Sequence, residues 1–126
     1  MPYLFMLVDD NEGDHFLNEY SISSFDKNID VIKAYNGQDA LDKLSTIEKQ
    51  PDYIFLDLNM PKMDGFEFLS KYYERPDANA SIVILSSSSL EADKQKASAF
   101  DKVVSYCSKP LKTEDLHSVM SLQTAH

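Results

Sequence analysis

An α/β fold is expected, a doubly wound five-stranded parallel sheet built as (βα)5, and two observations predict it. Four short apolar runs, "YLFMLV" (3–8), "YIFLD" (53–57), "SIVILS" (81–86) and "VVSYCS" (103–108), lack the alternation of half-buried strands. Continuous apolar strands belong to parallel sheets covered on both faces. Helical patterns separate them, and strands alternating with helices imply right-handed crossovers onto one sheet.

A weaker strand, "DVIKAY" (30–35), alternates in part and suits an edge. The first helix is expected over 14–26, with Phe16, Leu17, Tyr20 and Ser24 at helical spacing. The second, 37–48, carries Ala40, Leu41, Leu44 and Ile47; the third, "GFEFLSKYY", carries Phe66, Leu69 and Tyr73. The stretch 90–100 is mostly polar, with Leu90, Ala97 and Phe100 as its apolar points, so its packing is expected to be weak. "TEDLHSVMSL" offers Leu116, Val119 and Met120, with Thr113 as its cap. Residues 74–81 read as a loop within one domain, 1–126.

Composition narrows the partners. The net charge of −9 repels nucleic acid, which proteins grip through Lys and Arg, and it repels an anionic membrane surface. It suits a protein partner or a cation. A single cysteine, Cys107, permits no internal disulfide and points to a reducing compartment. "YLFMLV" is too short to span a bilayer, and no basic segment precedes it. A cytoplasmic location is therefore expected.

In doubly wound sheets, function lies at the carboxyl ends of the strands, near the switch in strand order. There the first strand ends in Asp9 and Asp10, the third in Asp57, the fourth in Ser86 and Ser87, and Lys109 and Pro110 follow the fifth. Three converging carboxylates repel one another unless a cation sits among them. Mg²⁺ meets that need with oxygen ligands, and Lys109 adds a second positive charge on the opposite side. Such a rim suits phosphoryl transfer, where positioning and electrostatics carry most of the catalysis. Asp57, at the end of an inner strand, is the best nucleophile and would form an aspartyl phosphate.

"VDDNE" (8–12), "FLDLNMPKMDGFEFL" (55–69), "VILSSS" (83–88) and "SKPL" (108–111) together resemble the receiver domain of two-component response regulators, of the single-domain CheY type. The resemblance covers essentially the whole chain, with its motifs in the family's order. It implies that Asp57 accepts phosphate, that Asp10 binds Mg²⁺ directly, that Asp9 acts mostly through water, and that the Asn59 backbone carbonyl joins the metal shell. Lys109 would pair with the phosphoryl oxygens and Ser86 would hydrogen-bond to them; Tyr106 matches the aromatic switch position, and Pro110 the family's cis-proline. Asn59 and Ser88 would line the path of the water that removes the phosphoryl group. The implied partners are a sensor histidine kinase or phosphotransfer protein and a downstream protein effector. The output face would be the fourth helix, fifth strand and fifth helix. No turnover is implied beyond the chain's own phosphorylation and dephosphorylation.

Two features depart from the family pattern. Ser86 stands where Thr is frequent, and "FDKVV" (100–104) replaces a frequent Gly-Ala pair. The final helix also looks short, ending at "LQTAH".

Three rival functions fit less well. A haloacid dehalogenase-type phosphatase needs a second acid two residues beyond its nucleophile, where this chain has Asn59. A flavodoxin-like cofactor binder needs a hydroxyl- and glycine-rich first loop, whereas "DDNEGD" would repel a phosphate. A degenerate receiver would not keep the complete acidic set and Lys109. Bland readings are retained elsewhere. Asp64-Gly65 is a turn feeding a helix, Ser87 and Ser89 lie in a polar loop, and Met60 and Met63 pack a loop. Cys107 is a small buried apolar residue, and His15 and His117 are surface residues.

Overall fold

The computed structural model describes residues 3–58, 60, 63–86 and 91–124. Five strands and five helices alternate: β1 (Leu4–Val8), α1 (Glu12–Phe25), β2 (Asp30–Ala34), α2 (Gly37–Thr46), β3 (Tyr53–Leu56), α3 (Gly65–Tyr72), β4 (Ser81–Ser86), α4 (Glu91–Ser98), β5 (Val103–Ser108) and α5 (Thr113–Thr124). All strand pairs are parallel, in the order β2-β1-β3-β4-β5. The expected doubly wound sheet is present, with β2 at an edge.

Continuous apolar strands have two dry faces to fill, and successive side chains point to opposite sides. Met6, Val8, Ile54, Leu56, Ile82 and Ile84 face one core with Leu44 of α2, Phe68, Leu69 and Tyr72 of α3, and Ala97 of α4. Phe5, Leu7, Tyr53, Phe55, Val83 and Leu85 face the other with Ile22 of α1 and Leu116 and Val119 of α5. Ala97 is the one buried residue of α4, so that helix is weakly anchored, as its polar sequence predicts. Among the described residues, no helix is long and apolar enough to cross a membrane.

The structure corrects the sequence reading of α1. Phe16, Leu17 and Tyr20 are exposed, by 70%, 47% and 67%, and Ser24 is exposed too. The buried stripe is instead His15, Asn18 and Ile22. His15 is therefore not a surface residue: its Nε2 bonds the carbonyl oxygens of Asp9 (2.8 Å) and Ala34 (3.1 Å). Asn18 Oδ1 accepts the N–H of Leu111 at 3.1 Å, and Ser21 Oγ donates to the Leu111 carbonyl at 2.6 Å. Backbone groups at the strand ends need partners, and α1 supplies them with polar side chains.

A smaller correction concerns α5. Its first carbonyl bond goes from Leu116 N–H to Lys112, whose own N–H is held by Asp115 Oδ2 at 3.0 Å. Lys112 thus holds the capping position, and Thr113 lies in the first turn. Near "FDKVV", the pairing of β4 with β5 shifts register between Ile82 and Val83. Met60, Met63 and Cys107 are buried, and His117 is exposed beside Phe25, with ring centroids 4.8 Å apart.

Candidate functional site

The strand order reverses between β1 and β3, so a crevice opens where these strands end. Asp9 and Asp57 are each the first residue past the two strands. Their N–H groups extend the sheet's pairing, Asp9 to the Ala34 carbonyl and Asp57 to the Val8 carbonyl, each at 3.0 Å. Backbone pairing therefore fixes where both carboxylates emerge. Asp9 and Asp57 are buried, whereas Asp10 is exposed. One carboxylate oxygen from each of the three lies within 4.8 Å of the others.

Lys109 enters from the loop after β5. Its peptide bond to Pro110 is cis, as expected, and its N–H bonds the Ser86 carbonyl at 3.1 Å. The ammonium does not stand apart across the site. Nζ lies 2.7 Å from Asp9 Oδ2, 2.9 Å from Asp14 Oδ2 and 3.1 Å from Asp57 Oδ2. Asp9 Oδ1 also accepts the N–H of Asn11 at 2.9 Å. Burial pushes the Asp9 pKa up, and Lys109 only partly opposes it. For Lys109, burial disfavours the charge, but bonds to Asp9 and Asp14 and the charge of Asp57 outweigh it and hold its pKa above the ordinary lysine value.

One ammonium among three carboxylates leaves two negative charges in surplus, and nearby Asp10 makes three. The donor set is all oxygen and anionic, which fits a hard divalent cation such as Mg²⁺. Asp10 is the exposed member of the three. Asp9 already accepts from both Asn11 and Lys109.

Ser86 closes β4 and is wholly buried. Tyr106 lies on β5 opposite Ile84, half-buried, with Lys94 Nζ 5.4 Å from its ring centroid. Asn59 and Ser88 fall outside the described residues.

Two residues at the rim escaped the sequence reading. Asp14 reaches Lys109 from the first turn of α1; the density of acids in "DDNEGD" was its only signal. Gly65 does more than turn the chain after Asp64, which caps α3 by accepting the Glu67 N–H. A Cβ on Gly65 would stand 2.7 Å from the Asp57 carbonyl oxygen and 2.8 Å from Leu58 Cα. Only glycine lets α3 start this close to the Asp57 backbone.

Comparisons with known proteins agree with this geometry. The family model described as the response regulator receiver domain matches residues 5–121. An uncharacterised response regulatory protein of Vibrio cholerae is 36% identical over 89 residues, covering 70% of this chain and 31% of that protein. The chain thus spans under a third of that relative's length. The crystal structure of a two-component response regulator from Cytophaga hutchinsonii superposes with a TM-score of 0.89 at 26% identity, over all of both chains. A phosphorylated cyanobacterial phytochrome response regulator, RcpA, gives 0.79 at 26% identity over 98% of this chain and 91% of that one. The Mn²⁺-bound response regulator Rcp1 gives 0.77 at 27% identity over 98% and 93%.

Proposed function

The chain belongs to the family of response regulator receiver domains, the phosphoacceptor modules of two-component signalling, and from that premise we propose how it works. Residues 1–126 act as one receiver domain, and Asp57 is the phosphoacceptor. The single observation carrying this assignment is Lys109 Nζ, held 3.1 Å from Asp57 Oδ2 beside Asp9 and Asp10.

A sensor histidine kinase or phosphotransfer protein presents a phosphohistidine at the rim. An Asp57 carboxylate oxygen bonds to phosphorus while the P–N bond breaks, and the donor imidazole keeps the electron pair. Lys109 meets the charge on the phosphoryl oxygens, and the Ser86 hydroxyl donates to one of them. Asp10, Asp57 and the Asn59 carbonyl would hold Mg²⁺, and Asp9 would act mostly through water. The ion supplies charge neutralisation among the carboxylates and the phosphoryl oxygens. Water later attacks phosphorus, breaks the acyl P–O bond and releases inorganic phosphate. Asn59 and Ser88 tune access to that water, so a bulky residue at 88 lengthens the phosphoryl lifetime.

The chain turns over no separate substrate; it is a switch. Its output passes to a downstream protein through α4, β5 and α5. A groove of about 210 Å³ between α4 and β5, lined by Lys94, Ala97, Val103 and Tyr106 among others, supports that choice of face. Neither nucleic acid nor membrane is a direct partner, in keeping with the charge of −9, and the site of action is the cytoplasm.

The test is incubation with a small phosphodonor and Mg²⁺, followed by intact-mass measurement. One phosphoryl group per chain is expected, removable by hydroxylamine and absent from Asp57→Asn. Equal labelling of that variant would overturn the assignment.

A further inference from the structure

Lys109 has three N–H donors and three carboxylate neighbours. Two of these, Asp9 and Asp57, stand at strand ends and are nearly inaccessible, with side chains 4% and 6% exposed. The third, Asp14, comes from another element and is 32% exposed. It lies nearer to Nζ than Asp57 does, 2.9 Å against 3.1 Å. We propose that Asp14 is a positioning residue that competes with the phosphoryl group for Lys109 and so limits how firmly the site holds it. The inference rests on Asp57 being the phosphoacceptor.

Asp14 cannot simply follow the lysine. Its N–H is capped by Asn11 Oδ1 at 2.9 Å, and the next residue, His15, is buried with Nε2 on the carbonyls of Asp9 and Ala34. The first turn of α1 is thereby clamped to the ends of β1 and β2. A phosphoryl group on Asp57 brings more charge and more acceptor oxygens than the carboxylate it replaces. Lys109 must turn toward it, and the link that gives way is the one to Asp14, because a part-exposed carboxylate can take water instead.

Removing the Asp14 charge has two effects of one sign on the phosphoryl group. It frees a lysine donor, and it removes a like charge from the neighbourhood. Its effect on a cation is opposite, because the site loses part of its negative surplus. A residue that merely held the fold would weaken both ligands together.

The experiment titrates the full chain with beryllofluoride, an inorganic stand-in for the phosphoryl group, at saturating Mg²⁺, and separately with Mg²⁺ alone, followed by NMR. Asp14→Asn is expected to bind beryllofluoride about threefold more tightly and Mg²⁺ about twofold more weakly. Asp14→Ala carries the same expectation and serves if the first variant does not fold. Asp14→Glu restores wild-type values. Glu12→Gln removes an equal charge from the same helical turn, on a side chain paired with Lys33, and leaves beryllofluoride binding unchanged. Unchanged or weaker beryllofluoride binding in Asp14→Asn overturns the proposal. So does equal tightening in Glu12→Gln, which would mark a general field effect. If wild type and Asp57→Asn bind beryllofluoride alike, the phosphoacceptor assignment falls, and this inference with it.

Discussion

Asn18 and Leu111, 93 residues apart in sequence, are joined by a buried hydrogen bond of 3.1 Å from the Leu111 N–H to the Asn18 side-chain oxygen. The Ser21 hydroxyl donates to the Leu111 carbonyl at 2.6 Å. α1 thus holds both backbone groups of the residue just beyond Lys109-Pro110, and so braces the lysine from behind.

Asn18→Ala strands a buried N–H. The expected cost is about 1–3 kcal/mol of stability, read by urea unfolding. Labelling by a small phosphodonor should also slow, because Lys109 loses its support. A variant as stable as wild type would show that water replaces Asn18 without loss.

Gly65→Ala tests the close approach of α3 to Asp57, the proposed phosphoacceptor. The new Cβ would meet backbone atoms of Asp57 and Leu58 at 2.7 Å and 2.8 Å, and neither can move aside like a side chain tip. Overpacking of this kind costs about 1–3 kcal/mol. One of the displaced atoms is the Asp57 carbonyl oxygen, so the labelling rate should fall even where the variant is fully folded. An unaltered rate in folded protein would show that the loop adjusts freely.

Asp10→Ala should separate stability from metal binding. Asp10 is exposed and stands among carboxylates without touching Lys109. Its removal relieves like-charge repulsion, so the metal-free protein should gain a few tenths of a kcal/mol, roughly. Mg²⁺ affinity should fall about tenfold or more, with metal-dependent labelling lost. A Mg²⁺ titration indistinguishable from wild type would remove Asp10 from the metal site.

What the sequence disclosed, and what it hid, follows from which groups each element buries. β1, β3 and β4 bury both faces in apolar side chains, so their runs were legible as parallel strands. Strand ends then located Asp9, Asp10, Asp57 and Lys109 together. Periodicity failed on α1 because its inward stripe begins with His15 and Asn18, chosen to satisfy backbone groups, while Phe16, Leu17 and Tyr20 face outward. A hydrophobicity pattern cannot see a polar core contact whose partner is a backbone carbonyl or N–H of another segment. Asp14 and Gly65 were hidden because each acts through a contact that only the folded chain makes, Asp14 with Lys109, 95 residues away, and Gly65 with the backbone of Asp57 across its own loop.

Ser86 and Tyr106 frame the last prediction. They sit on adjacent strands, Ser86 opposite Ser108 and Tyr106 opposite Ile84, with Ser86 fully buried and Tyr106 half-buried in the groove beside α4. The Ser86 carbonyl is bonded to the Lys109 N–H, so the two residues proposed to bind the phosphoryl group share one backbone link. If the Ser86 hydroxyl moves toward a new phosphoryl oxygen, the space beside β5 changes shape, and the Tyr106 ring can turn inward from beneath Lys94. α4, held by Ala97 as its one buried residue, can shift at low cost. A two-state element responds only to differential contacts, and the proposed Ser86 bond would be the contact that differs. Ser86→Ala keeps the carbonyl and removes the hydroxyl. It should still take phosphate on Asp57, with stability within about 1 kcal/mol of wild type. It should lose most of the phosphorylation-dependent NMR shift changes between residues 91 and 106. Were those changes intact, the α4–β5 surface would be answering to phosphoryl charge alone, with Tyr106 a fixed packing residue.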